Sequence, residues 1–225
     1  MTPIGLFNTE VHDSVRPRVS SEQKPYETTK AKCLIRKAAF GDMATVTAIY
    51  ANFVKTSTAT LELVAPDQAE MARRWQAVLD HNLPYLVAEL NGYVVGYCYA
   101  SQFRPREGYR FTVEDSIYVR PDCAGYGVGK MLLGELIKRC QARECHSIVA
   151  CICGINVPSV ALHASLGFVT VGVLPDAGNK FGEWLSLSIM QRALYDPMEK
   201  AAPESGGGIT PGHGQDHVAE RENGK

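Results

Sequence analysis

The run Gly125-Tyr126-Gly127-Val128-Gly129-Lys130 lies between an alternating segment, "VEDSIYV", and a leucine-rich amphipathic one. Glycine at every second position allows positive φ and lets an anion approach backbone N–H groups. A helix starting there adds its dipole. The loop reads either as a phosphate cradle or as a tight strand-to-helix turn without a ligand. It is not a P-loop, because Met131 follows Lys130 and the glycine spacing is wrong. Strict alternation also fails the GxGxxG dinucleotide pattern.

Upstream, strand alternation places Glu114, Ser116 and Tyr118 on one face and Val113, Asp115, Ile117 and Val119 on the other. A carboxylate in the middle of an otherwise apolar strand is costly unless partnered or functional. Glu114 is therefore either a general base or a strand-edge group facing water. Asp115, on the opposite face, is expected to pair with an arginine. His163 titrates near neutrality and suits an acid or a proton relay, against the structural role that a helix histidine more commonly has.

These residues need a scaffold. "KCLIRKA" reads as a first strand, and Asp42 as the cap of a helix carrying Met43, Val46, Ile49, Tyr50 and Phe53. Asp67 with Glu70 three residues on opens a second helix. Asn91-Gly92 between two alternating runs predicts a hairpin with a type I′ turn. "FTVEDSIYV" follows as a strand. A helix over Lys130–Arg143 puts Leu132, Leu133, Leu136, Ile137 and Cys140 on one stripe. "SIVACIC" is a buried strand. "NVPSVALHASLG" is a short helix with Pro158 in its first turn and Gly167 as its stop. "FVTVGVL" and "EWLSLSIMQRAL" supply the last strands. The order predicts an α/β fold, a mixed sheet flanked by helices in a single domain over 33–195. Residues 1–32 and the glycine-rich 196–225 are expected to be flexible.

With 45% hydrophobic residues in 225, the chain can bury a sizeable core. Its 23 basic and 24 acidic residues lack the basic stripe that nucleic acid requires. No window approaches the roughly 18 unbroken apolar residues of a membrane span. Seven cysteines without a CxxC pair, and an N-terminus without an apolar leader, point to reduced thiols and a cytoplasmic location. No histidine shows metal-ligand spacing near these cysteines, so no metal is expected. Trp75 and Trp184 read as core or interface aromatics.

The glycine loop after "SIYVRP", together with Asn156, Ser159, Leu162, His163, Gly167 and Phe168 downstream, resembles the GNAT-type N-acetyltransferases. "TSTAT", "LVAE", "RFTVEDSIYV", "SVALHASLGF" and "KFGEW", in order across 33–195, are similar to the phosphinothricin and methionine sulfoximine N-acetyltransferases within them. That resemblance implies a mostly antiparallel twisted sheet. It also implies direct transfer of acetyl from acetyl-CoA to the amine of a small amino acid or analogue, in a homodimer. A polyamine or protein N-terminus as acceptor, or a non-catalytic acetyl-CoA-binding protein, are the competing readings.

By the resemblance, Gly125, Tyr126, Gly127, Val128, Gly129 and Lys130 hold the cofactor's pyrophosphate. Backbone groups of Ile117, Tyr118 and Val119 pair with its pantetheine arm, and Asn156 and Ser165 line its site. Asn156 has a competing role as a helix cap. Glu114 becomes the active-site glutamate, and His163 stands where many relatives carry a tyrosine that protonates the leaving thiolate. Arg104, Arg106 and Arg110 in "RPREGYR" suit a substrate carboxylate or phosphinate, or form a solvated basic loop. Glu107, Gly108 and Tyr109 would contact the substrate by position. One departure stands out: the family motif opens with Gln or Arg, and Ala124 occupies that place.

Overall fold

Seven alternating segments become strands: β1 (Cys33–Lys37), β2 (Tyr85–Leu90), β3 (Tyr93–Gln102), β4 (Thr112–Val119), β5 (Ser147–Cys153), β6 (Val169–Lys180) and β7 (Glu183–Ala193). Four segments of helical period become α1 (Met43–Thr56), α2 (Gln68–Asp80), α3 (Val128–Gln141) and α4 (Val157–Ala164). The computed structural model describes residues 33–195, so the expectations for 1–32 and 196–225 lie outside it.

The strands form one sheet in the order β1-β2-β3-β4-β5-β7-β6. Every neighbouring pair is antiparallel except β4 and β5. The parallel register runs only from Thr112↔Ser147 to Asp115↔Ala150. Beyond Asp115 the two strands part, while β4 keeps pairing with β3 and β5 with β7. A sheet that splits in its middle exposes backbone donors and acceptors on both lips, and these need a partner.

Local signals explain the helices and turns. Asp67 accepts from Glu70 N–H at 2.7 Å and starts α2. Asn91 and Gly92 both take positive φ, 52° and 84°, as a type I′ turn requires. Leu132, Leu133, Leu136, Ile137 and Cys140 are all buried along α3, each leucine contributing roughly 1.5–3 kcal/mol. Gly167 ends the α4 segment at φ +84°.

Two local expectations are corrected. Asp42 does not cap α1 with its side chain, because Arg36 draws both carboxylate oxygens (2.7 and 2.9 Å) and Ala39 N–H takes one of them. Helix α3 starts at Val128 and ends at Gln141, not at Lys130 and Arg143. Gly127 in the left-handed region already serves as its N-cap.

The faces of the sheet are covered separately. Tyr50 and Phe53 of α1 pack edge-on against Tyr118, with ring centroids 5.1 and 5.2 Å apart. The start of α3 lies against Ile117, Val119 and Leu162, on the other face. Side chains of β4 thus alternate between an α1 layer and an α3/α4 layer.

Candidate active site

Where β4 and β5 part, a cavity of about 230 Å³ opens, lined by Glu114–Tyr118, Ala150–Cys153, Asn156, Ser159 and His163. Ala59, Thr60 and Leu61, from the loop after α1, also line it. The structure thus brings Glu114, Ile117, Tyr118, Asn156 and His163 to one place.

Glu114 is partly buried, and burial pushes its carboxyl above the usual carboxylate range. A hydrogen bond from the Cys151 thiol and the positive charge of Arg104 oppose that rise, while Asp115 adds to it. Cys151 itself is pushed up to about 11 by burial and by Glu114, so it stays a thiol at neutral pH. A carboxylate held partly out of water, with few donors, is more basic than one in free solution, the direction that a general base requires.

Asp115 does not pair with an arginine. Its Oδ2 lies 3.1 Å from His163 Nε2, both side chains 2% exposed. The other ring nitrogen, Nδ1, donates to Ser159 O at 2.7 Å. A backbone carbonyl can only accept, so Nδ1 carries a proton and Nε2 shares another with Asp115. Charged or neutral, the pair sums to zero net charge, which makes its complete burial tolerable. Burial works against the charged imidazole, but Asp115 and the Ser159 carbonyl outweigh it and raise the pKa above 6.5. Burial likewise raises Asp115 above 3.8, with His163 pulling the other way.

The glycine loop follows β4 but does not line the cavity. Gly129, at the start of α3, lies beside Ile117 and Val119 of β4 and Leu162 of α4. Gly127 holds φ +79° and ψ 0°, a conformation that a residue with a Cβ enters at a cost. The first helical donor is Met131 N–H, to Gly127 O at 3.1 Å. The N–H groups of Val128, Gly129 and Lys130 precede the helix's own ladder, as the free donors of any helix N-terminus do. Gly125, Tyr126, Gly127 and Lys130 are exposed, whereas Val128 is buried and anchors the turn.

Other expected residues are less central. Asn156 accepts from Ser159 N–H at 3.2 Å and so caps α4 while still lining the cavity. Ser165 lies at the far end of α4, its hydroxyl donating to Leu162 O at 2.8 Å, outside the cavity lining. Arg104, Arg106, Glu107, Gly108, Tyr109 and Arg110 form an exposed loop that does not line the cavity either. Arg104 lies over the Phe103 ring at 4.2 Å, and Arg110 over Phe111 at 4.4 Å. Trp75 packs against the core, whereas Trp184 is 68% exposed. Sequence reasoning missed Cys151 and the 57–61 loop as parts of the site. Cys151 shares a strand face with the position opposite Glu114, and only the β4/β5 register reveals it.

The sequence profile of the acetyltransferase (GNAT) family matches residues 50–168. Phosphinothricin N-acetyltransferase from Alcaligenes faecalis is 47% identical over 169 residues, covering 75% of this chain and 86% of the relative. The L-methionine sulfoximine/L-methionine sulfone acetyltransferase of Pseudomonas paraeruginosa is 41% identical over 168 residues, 74% of this chain and 97% of the relative. Among solved structures, a phosphinothricin acetyltransferase from Sinorhizobium meliloti in complex with acetyl-CoA superposes with a TM-score of 0.71 at 41% identity. It covers 77% of this chain and 97% of its own. A split sheet, a glycine-led helix and this likeness along nearly the full length of its relatives agree: the chain belongs to the acetyltransferase (GNAT) family and is an N-acetyltransferase.

Proposed function

We propose that this enzyme transfers acetyl from acetyl-CoA to the amino group of a small amino acid or analogue of the phosphinothricin or methionine sulfoximine/sulfone kind. The observation that carries the reading is Glu114, a partly desolvated carboxylate at the head of a split whose strand β4 leads on to a helix N-terminus. The relatives' names support the substrate class. Backbone N–H groups from Gly125 to Lys130 suit the pyrophosphate of acetyl-CoA. The unpaired lip of β4 at Ile117–Val119 suits its pantetheine arm, which would add as a strand.

In the mechanism so read, Glu114 takes a proton from the substrate ammonium, and the freed amine attacks the thioester carbonyl directly. The C–N bond forms and the C–S bond breaks. Of the two protons the nitrogen sheds, one ends on the thiolate sulfur and the other in solvent. Both nitrogens of His163 have partners, so His163 acts on the site only through the proton it shares with Asp115 and not as a free acid. Cys151, held as a thiol, forms no acyl-enzyme. The arginine loop supplies positive charge for the substrate's carboxylate or phosphinate.

Val169, Val171, Val173 and Trp184 leave apolar surface exposed on β6 and β7, which suits the homodimer implied by the resemblance. Thiol release from acetyl-CoA against an amino-acid panel that includes phosphinothricin and methionine sulfoximine tests the reaction. Release with no panel member, despite calorimetric binding of acetyl-CoA, would leave an acetyl-CoA-binding protein with another acceptor or none.

A further inference from the structure

The segment Lys180-Phe181-Gly182-Glu183-Trp184 has no part in the chemistry above, yet its lysine is 2% exposed. Lys180 Nζ donates to Ser57 O at 2.8 Å and to Thr60 O at 2.7 Å. No ion pair within 4 Å holds it among the described residues, though its Nζ lies 5.0 Å from the centroid of the Phe181 ring. Burial pulls its pKa below that of an ordinary lysine, with the charges of Cys153 and Glu62 pulling the other way. An ammonium taken out of water onto neutral carbonyls is an expensive strut, and cheaper side chains fill space as well.

Both carbonyls belong to one short loop after α1, and Ala59, Thr60 and Leu61 of that loop line the cavity. Strand β6 meets the same loop at a second point. A Cβ on Gly178 would lie 2.5 Å from Leu61 Cδ1 and 2.8 Å from Cδ2, so the bare Cα gives Leu61 its seat. The pairing of β6 with β7 slips between Leu174 and Gly178, where the strand bulges. The loop has its own ties too, since the Thr60 hydroxyl lies 3.0 Å from Tyr50 OH and accepts from Glu62 N–H at 3.2 Å. The loop follows α1, the helix that covers the Glu114 face of the sheet.

We propose that Lys180 is a positioning residue: its ammonium, with the bare Cα of Gly178, fixes the 57–61 loop as the cavity wall that decides which amine side chain fits. The assignment rests on the N-acetyltransferase reading for its substrate, but the clamp itself can be tested without turnover.

Lys180→Met keeps length and removes the charge. Hydrogen exchange measured on the full chain should speed at least tenfold at the amides of residues 57–62 and stay unchanged along α3. Steady-state kinetics with the best panel amine should show a KM for the amine raised tenfold or more, with the KM for acetyl-CoA within twofold. Lys180→Arg, which keeps charge and donors, should recover part of the amine KM. Gly178→Ala displaces Leu61 without touching the charge, so it keeps the test available if Lys180→Met fails to fold. It should weaken the bulkiest panel amine more than the smallest. Unchanged exchange at 57–62 in Lys180→Met, or equal loss for both substrates in both variants, would overturn the proposal. A wild-type enzyme inert toward every panel amine would sink the substrate reading instead, while the exchange data still judge the clamp.

Discussion

Glu114 and Asp115 are adjacent on β4 and reach opposite faces of the sheet at the point where β4 leaves β5. Burial raises both carboxyls, yet their surroundings divide their work. Glu114 meets a weak thiol donor and stays available to the cavity, while Asp115 is closed against His163. Two neighbouring carboxylates thereby meet different surroundings, one open to the cavity and one closed in a buried pair.

Glu114→Gln keeps the shape and removes the base. Turnover should fall roughly 10²–10⁴-fold with acetyl-CoA affinity nearly unchanged. The acidic limb of the kcat/KM profile, placed above the ordinary carboxylate range by burial, should vanish with it. Turnover within a fewfold of wild type at neutral pH would remove Glu114 from the mechanism.

The same substitution should stabilise the fold. A carboxyl whose folded pKa is raised contributes stability below its unfolded pKa and loses it as pH rises through the folded value. Against glutamine, the wild-type melting temperature should therefore match near pH 4 and fall behind toward pH 7. Identical melting curves at both pH values would mean that Glu114 is not desolvated.

Asp115→Asn probes the buried pair. Removing the negative charge should lower the His163 pKa, read by imidazole NMR titration. If the shared proton takes part in turnover, kcat should drop at least about tenfold. A lowered pKa with unchanged kcat would make the pair purely structural.

Short-range rules made much of this fold legible. Asn91-Gly92 and the stripe from Leu132 to Cys140 are set by residues within a few positions of one another. The same rules misread Asp42, because Arg36, six residues upstream on β1, draws its carboxylate away from the helix. Asp115 was given the wrong partner because His163 is 48 residues away and arrives only when α4 docks. The 57–61 wall was invisible for the same reason, its Lys180 anchor lying 120 residues on from Thr60. Glu114 stood out early because a mid-strand carboxylate breaks the local pattern, whatever its distant neighbours.

Arg104 is the arginine of its loop whose charge reaches Glu114. Arg104→Ala should raise the amine KM by roughly tenfold or more, the scale of one charge-assisted contact. It should also shift the acidic limb of the pH profile upward, since a charge that lowers the Glu114 pKa is gone. Arg106→Ala and Arg110→Ala should show only the KM effect. Wild-type amine KM in all three variants would make the loop a solvated surface.

The last test concerns the anion and the missing Gln or Arg at position 124. If backbone N–H groups and the helix dipole hold the pyrophosphate, side-chain identity there matters little. Ala124→Gln should tighten acetyl-CoA by less than about tenfold in Kd. Gly127→Val should act differently. A Cβ at Gly127 meets nothing of the chain within 4 Å, so the protein can fold. Its φ of +79°, however, is hostile to a branched side chain, and under this reading the added methyls would block an anion's approach. Binding by calorimetry should be lost while circular dichroism remains that of the wild type. Gly127→Ala, with the same φ problem and less bulk, should fall between. If Gly127→Val binds acetyl-CoA normally, the loop is only a turn, and the pyrophosphate is held by something other than this helix N-terminus.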